Sequence, residues 1–109
     1  MSAVISLEAA RAELATGSTT SAALTASALQ RIADPAGEGA RTFTRVLADR
    51  AQHLARASDS LREAGVVRSP LEGLPVSVKD LFDVVGETTT AGSVMLRDAP
   101  PAAHVAQAV

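Results

Sequence analysis

The sequence predicts an α/β fold, in which helices fill the first 65 residues and strands joined by tight turns follow. Alanine-rich segments with apolar residues three and four positions apart occupy the first part, which is the helical period. After Gly65 the composition changes to valine, glycine, proline and threonine, which is typical of strands and turns. A length of 109 residues corresponds to one domain or part of one.

Two short helices are predicted at the start of the chain. Ser6 can cap the first and Gly17 can end it. The second begins within residues 18–21 and ends at Asp34-Pro35, because proline disfavours the helical conformation of the residue before it. Their inner faces are predicted to hold Leu7, Ala10 and Leu14 in the first helix and Leu24, Ala28, Leu29 and Ile32 in the second. Since alanine permits close helix approach, this hairpin is expected to pack on a larger body.

A surface loop and a long helix come next. Residues 34–42 hold one proline and two glycines, which predicts the loop. The helix after it ends at Gly65. Its predicted inner face holds Leu47, Ala51, Leu54, Ser58 and Leu61. The charged residues between them are interpreted as a solvated outer surface, because charges of mixed sign seldom form a binding face: Arg45, Asp49, Arg56, Asp59 and Arg62.

Composition argues against several classes of function. The net charge is −2 and aromatic residues make up 2% of the chain, so nothing favours nucleic-acid binding. The sequence has no cysteine, no secretory leader pattern and no run of about 20 apolar residues, which together predict a cytoplasmic protein without a membrane span. His53 has no other ligand residue at a suitable spacing, so neither a metal site nor a cofactor site is predicted.

The stretch from Leu71 to Ser93 carries the strand pattern. Residues 74–78 alternate apolar and polar side chains and form the predicted strand, with Lys79 at its end. A second extended piece is predicted at residues 88–90, bracketed by Gly86 and Gly92. On this pattern alone Lys79 would be interpreted as a solvent-exposed lysine, because most lysines are exposed.

The same stretch, LEGLPVSVKDLFDVVGETTTAGS, resembles the amidase signature hydrolases. That family has an L-x-G-[IV]-P-[VIF]-x-[VI]-K-D segment, which this chain matches with an ordinary aliphatic variant at Leu74. The matching residues are Leu71, Gly73, Pro75, Val76, Val78, Lys79 and Asp80, continued by Asp83, Gly86, Thr89, Gly92 and Ser93. A match of this length and order is much more specific than a lone short motif.

The resemblance implies a large mixed β-sheet between helical layers, of which this chain would hold the N-terminal part. Residues 1–65 would be a helical layer of a single amidase domain, and residues 66–109 would be the strand and turn segment with the start of a further helix. That helix is predicted to begin at Pro100-Pro101, with Val105 and Val109 on one face. Because its apolar stripe is still running at the last residue, the domain is expected to be incomplete in this chain.

The resemblance also implies a Ser-cis-Ser-Lys triad acting on a small-molecule amide, with Lys79 as the catalytic lysine. A lysine that accepts a proton must be neutral, and burial in an apolar pocket favours the neutral amine. Both serines of the triad lie downstream of the lysine in the family, so Ser77 and Ser93 are not predicted to be nucleophiles. Ser77 could line the pocket, Ser93 is expected to bond local backbone, and Asp80 is expected to hold the turn after the lysine.

With one of three triad members, the 109-residue chain is expected to be inactive alone. It would need the rest of the domain, or self-association, to cover its apolar surfaces. One alternative is the A-type glutaminase component of a tRNA-dependent amidotransferase, from the same family; the alanine-rich N-terminal region favours a stand-alone amidase instead. Another, of a different class, is a non-catalytic helical association module in which Lys79 is structural.

Overall fold

The computed structural model describes residues 4–104, which contain four α-helices and one 3-10 turn. The helices are α1 (Leu7–Thr16), α2 (Ser21–Ala33), α3 (Gly39–Thr42) and α4 (Ala48–Glu63), and the 3-10 turn is Val94–Leu96. These residues group into two compact units, one up to Pro75 and the other from Val76 onwards. The helices all belong to the first unit, and the 3-10 turn belongs to the second.

The two predicted N-terminal helices are present, and the predicted inner face of α1 is right for Ala10 and Leu14 but wrong for Leu7, which is 58% exposed. The Ser6 hydroxyl accepts a hydrogen bond from the Ala9 N–H at 3.1 Å, and Gly17 ends α1 in the left-handed conformation with φ +80°. Thr20 caps α2 in the same way, since its hydroxyl accepts from the Ala23 N–H at 3.1 Å. A side-chain acceptor at each N-terminus satisfies a backbone donor that the helix itself leaves unpaired.

The predicted loop at residues 34–42 is partly wrong, because it contains α3. This single turn packs against α2 and is held by the Glu38 carbonyl, which accepts hydrogen bonds from the Arg41 and Thr42 N–H groups at 3.0 and 2.9 Å. The Thr42 hydroxyl donates to the same carbonyl at 2.9 Å. The two glycines suggested irregular backbone, but packing against α2 and these bonds outweigh their low helix propensity.

The prediction for α4 is right in its extent, and its predicted inner face is right for Ser58 but wrong for Leu54. Ala55 and Ser58 are buried, whereas Leu54 is 61% exposed. Helices α2 and α4 pack against each other, and the buried positions of α2 are Ser21 and Thr25. The buried residues on both helices are small, which allows a close approach, and Leu54 lies outside this contact.

The predicted strands at residues 74–78 and 88–90 are not formed among the described residues. A strand needs a hydrogen-bonded neighbour, and residues 74–78 have none here. The one isolated bridge among residues 4–104 is parallel and joins Val85 to Ala102. It places the Gly86 N–H 3.0 Å from the Ala102 carbonyl and the Ala102 N–H 2.9 Å from the Glu87 carbonyl.

The helix predicted from Pro100-Pro101 is not present up to His104, since Ala102 is committed to the bridge with Val85. Val105 and Val109, which define its apolar face, lie outside the described residues. None of the helices in the described part of the chain is both long enough and apolar enough to cross a membrane.

The hydrophobic core of the described residues is small. It consists of Ala10, Leu14 and Ala55, and many larger apolar side chains remain exposed. Examples are Val76 at 80%, Val94 at 77% and Met95 at 89%. Burial of apolar surface contributes about 25 cal/mol per Å², so most of the stabilising potential of these side chains is unused in this chain.

Candidate active site

Lys79 lies at the start of a tight turn in the second unit. Its carbonyl oxygen accepts hydrogen bonds from the Leu81 N–H at 2.7 Å and the Phe82 N–H at 3.1 Å. The side chain is exposed, and its ammonium has no hydrogen-bond or ion-pair partner among the described residues. Val76 and Val78 beside it are exposed as well. The apolar pocket expected around the lysine is therefore not formed within residues 4–104.

Asp80, the residue after the lysine, ties this turn to residues 90 and 91. One carboxylate oxygen accepts from the Thr90 N–H at 3.0 Å, and the other accepts a hydrogen bond from the Thr90 hydroxyl. The Asp80 carbonyl accepts from the Ala91 N–H at 2.9 Å. Asp80 thus closes the loop that follows Lys79, which agrees with the structural role predicted for it.

The neighbouring threonines hold the same loop from other positions. The Thr89 hydroxyl donates to the Asp83 carboxylate at 2.6 Å, and the Thr88 hydroxyl donates to the Ala99 carbonyl at 2.9 Å. Ser93 caps the 3-10 turn, since its hydroxyl accepts from the Met95 N–H at 3.2 Å, as predicted. Ser77 is exposed.

Glu72, which the sequence did not single out, anchors residues 71–75 to α4 within the first unit. Its carboxylate forms a two-point ion pair with Arg68, with Nε–Oε1 at 2.6 Å and Nη2–Oε2 at 3.0 Å. It also accepts a hydrogen bond from the Ser58 hydroxyl of α4 at 2.8 Å. The Arg62 guanidinium donates to the Glu72 carbonyl at 3.0 Å.

Electrostatics of this anchor favour the ionised carboxylate. The hydrogen bonds from Arg68 and Ser58 lower the pKa of Glu72 to about 2, although burial opposes the shift. The pKa of Arg68 is raised by the same partner. Glu72 is buried, with 8% of its surface exposed. A buried carboxylate that is fully hydrogen-bonded fixes the geometry of its neighbours.

Two charges of α4 that were interpreted as solvated make specific contacts instead. Arg62 binds the Glu72 carbonyl, and Asp59 caps α2 from outside. The Asp59 carboxylate accepts from the Ser21 N–H at 2.7 Å and the Ala22 N–H at 3.0 Å. These residues were missed because hydrogen bonds between elements distant in sequence leave no periodic signal.

Gly73 lies close to α1, α2 and α4 within the first unit. Its carbonyl accepts from the Ser21 hydroxyl at 2.7 Å, and its φ is +90°. An added Cβ would be 3.4 Å from Leu14 Cδ1 of α1, Ser21 Cβ of α2 and Ser58 Oγ of α4. The glycine of the L-x-G segment therefore satisfies both a positive φ and a close contact.

We expect Gly73→Ala to lower the free energy of unfolding by about 1–2 kcal/mol, because an L-residue at this φ is strained. Gly65→Ala is the matched control: its φ is +81° and no atom lies within 4 Å of an added Cβ. Urea unfolding of both variants separates backbone strain from crowding. A smaller loss for Gly73→Ala than for Gly65→Ala would contradict the close packing described for Gly73.

Among residues 4–104 no group of three histidine, aspartate or glutamate side chains is placed to hold a metal ion. In the second unit the fold brings Asp80 to Thr90, whereas Lys79 precedes Asp80 in the chain with its side chain exposed.

Comparison with protein families gives a match to the family described as Amidase over residues 23–108. The A-type component of the glutamyl-tRNA(Gln) amidotransferase of Thermobifida fusca is 40% identical over 98 residues, which is 88% of this chain and 20% of that protein. The AtzE component of the 1-carboxybiuret hydrolase of Pseudomonas sp. is 50% identical over 60 residues, 55% of this chain and 13% of that protein. The chain spans about a fifth or less of the length of these relatives.

Comparison with solved structures finds similar folds. A structure from work on a vestigial protein complex that reveals the evolutionary origins of an s-triazine catabolic enzyme has a TM-score of 0.84 and 38% identity. The matched region covers 94% of this chain and 22% of the chain in that structure. The described residues therefore have amidase-signature fold neighbours. The family match at residues 23–108 takes in Glu72, Gly73, Lys79 and the loop after it, so this chain belongs to the amidase family.

Proposed function

We propose that this chain is the N-terminal portion of an amidase that hydrolyses a carboxamide C–N bond through a Ser-cis-Ser-Lys triad, to which it contributes Lys79. The observation that carries the proposal is the family match over residues 23–108, which contains the lysine within LEGLPVSVKD. The relatives named as components of an amidotransferase and of a hydrolase support an enzyme that acts on amides.

In this mechanism the proton follows a relay that ends at Lys79. A serine hydroxyl adds to the amide carbon while its proton passes to the second serine, whose own proton passes to the neutral lysine amine. The protonated lysine returns the proton through the same relay to the nitrogen as the C–N bond breaks, so ammonia or an amine leaves uncharged. Water then hydrolyses the acyl-serine, releasing the carboxylic acid and restoring the serine.

The surroundings of Lys79 must change for this role, because a neutral amine needs an environment that disfavours charge. Val76 and Val78 are exposed, and Lys79 lies among them. We infer that the rest of the domain covers this surface. Residues 74–78 would then pair as a strand within a large mixed β-sheet, below a helical layer formed by residues 1–65, and residues 66–109 would carry the lysine toward the two serines.

The purified 109-residue chain is expected to release no ammonia from a panel of simple amides, because it lacks the two serines of the relay. Adding the rest of the protein as a second chain should restore turnover, and each part assayed alone serves as the control. Ammonia release by the isolated chain at rates well above buffer would contradict the proposal.

A second candidate function uses the same amide-cleaving chemistry, but within a complex with a partner protein. Two A subunits of glutamyl-tRNA(Gln) amidotransferases match this chain over 84% and 88% of its length, at 38% and 40% identity. In this second candidate the whole protein is a glutaminase that passes ammonia to a partner protein. Co-purification with such a partner, together with turnover of glutamine in preference to simple amides, would favour this candidate over a stand-alone amidase.

A non-catalytic association module is the candidate of a different class. It would be supported by a compact, cooperatively unfolding monomer of residues 1–109. The small core and the exposed apolar side chains support the opposite expectation, that this chain is stabilised by further protein.

A further inference from the structure

We propose that Asp80 and Thr90 form a clamp that fixes the backbone on the carboxyl side of Lys79 and so sets the direction in which the lysine side chain leaves the backbone. Both are positioning residues, since neither is assigned a contact with substrate. The inference rests on the proposed function, because it concerns how Lys79 is aimed at the proton relay.

The contacts of the clamp lie within the second unit. The Asp80 carboxylate receives both the N–H and the hydroxyl of Thr90, and the Asp80 carbonyl receives the Ala91 N–H. Asp80 and Thr90 are both half-buried. A carboxylate held by two donors of one residue is fixed in orientation as well as in position.

The lysine is fixed through the adjoining peptide. The Lys79 carbonyl accepts from the Leu81 and Phe82 N–H groups, and the next residue is held by the clamp. Rotation about ψ of Lys79 would break the bonds to its carbonyl or pull Asp80 away from Thr90. The direction of the Cα–Cβ bond of Lys79 is therefore fixed by hydrogen bonds on the carboxyl side of this residue.

The backbone conformation of Ala91 also agrees with the clamp. Ala91 has φ +50°, in the left-handed region that residues other than glycine seldom occupy. Such a conformation persists where surrounding contacts over-determine it. The Ala91 N–H donates to the Asp80 carbonyl, so the strained residue is part of the clamp.

The test uses the full-length enzyme and three threonine variants. Thr90→Val removes the hydroxyl and keeps the shape and the backbone N–H, whereas Thr90→Ser keeps the hydroxyl. Thr42→Val is the matched control, because it removes an exposed threonine hydroxyl that donates to the Glu38 carbonyl in the first unit. We expect kcat to fall by about tenfold to 100-fold in Thr90→Val with KM within about twofold, since a displacement of about 1 Å in a reacting group costs up to about 100-fold.

Thr90→Ser keeps the hydroxyl that binds Asp80, and Thr42→Val changes an exposed side chain of the first unit, so both are expected to keep kcat within about twofold of the wild type. Asp80→Asn is a fourth variant. If Thr90→Val does not fold, kcat must fall at unchanged KM in Asp80→Asn. An unchanged kcat in Thr90→Val, or equal losses of kcat in Thr90→Val and Thr42→Val, would overturn the clamp. If Lys79→Ala abolishes activity while Thr90→Val does not reduce it, the clamp fails and the proposed function stands; if Lys79→Ala keeps full activity, both fail.

Discussion

Replacing Lys79 with alanine in the full-length protein is expected to lower kcat for amide hydrolysis by about 10³- to 10⁴-fold. The variant removes the proposed terminal proton acceptor, and general acid-base groups contribute about 10²- to 10⁴-fold to catalysis. Lys79 is the only lysine of this chain, so no other amine side chain in it can take over. Ammonia release under substrate saturation measures the loss.

Two further variants make the Lys79 result specific. Lys79→Arg should be about as inactive as Lys79→Ala, because a guanidinium keeps its charge and cannot act as a base. Arg97→Ala removes an exposed cation from the second unit and should keep kcat within about twofold. Retention of most of the activity in Lys79→Ala would remove this lysine from the mechanism.

Glu72→Ala is expected to lower the free energy of unfolding by about 2 kcal/mol, which is the range for losing hydrogen bonds to a charged group and leaving a buried donor unpaired. The buried Ser58 hydroxyl loses its acceptor, and the Arg68 guanidinium loses its two-point contact. Urea unfolding at neutral pH, followed by helical circular dichroism, measures the change. Glu63→Ala, at the exposed end of α4, is the matched control and should cost less than about 0.5 kcal/mol.

The pH dependence of unfolding provides a second measurement on the same variants. The pKa of Glu72 is lowered to about 2 from 4.5, so the folded state favours the ionised carboxylate. Its stabilising contribution is complete above about pH 4.5 and disappears as the pH falls toward about 2. The Glu72→Ala variant should therefore lose less stability across this range than Glu63→Ala. Equal losses would show that the anchor does not hold the carboxylate in its charged form.

The helices could be predicted from the sequence because their signals are local. The cap at Ser6, the left-handed stop at Gly17 and the proline after Asp34 all act within one helical turn of the residue concerned. The face of α4 could not be predicted in the same way. Leu54 was expected to be buried, but Ala55 is buried instead. Which face of α4 is buried depends on how closely α2 approaches it.

The predicted strand at residues 74–78 and the contacts of Glu72 show that a local sequence pattern does not predict contacts between distant residues. Alternation in residues 74–78 describes a segment suited to a sheet, but pairing depends on a neighbouring strand, which the described residues do not provide. Glu72 follows Arg68 at the spacing of an ordinary surface pair, and only the fold brings Ser58 to the same carboxylate. The lysine motif was recognisable because it combines eight positions in a fixed order. The exposure of Lys79 could not be predicted from that order.

A structure of the full-length protein would test the central claim most directly, by measuring the distance from Lys79 Nζ to the nearest serine Oγ. We expect the amine to be buried and to lie about 3 Å from a serine hydroxyl, which is the reach of proton transfer. In residues 4–104 taken alone the side chain is exposed, so the remainder of the protein must create this environment. A Lys79 amine that stays exposed, with no serine hydroxyl within hydrogen-bond distance, would contradict the proposed role.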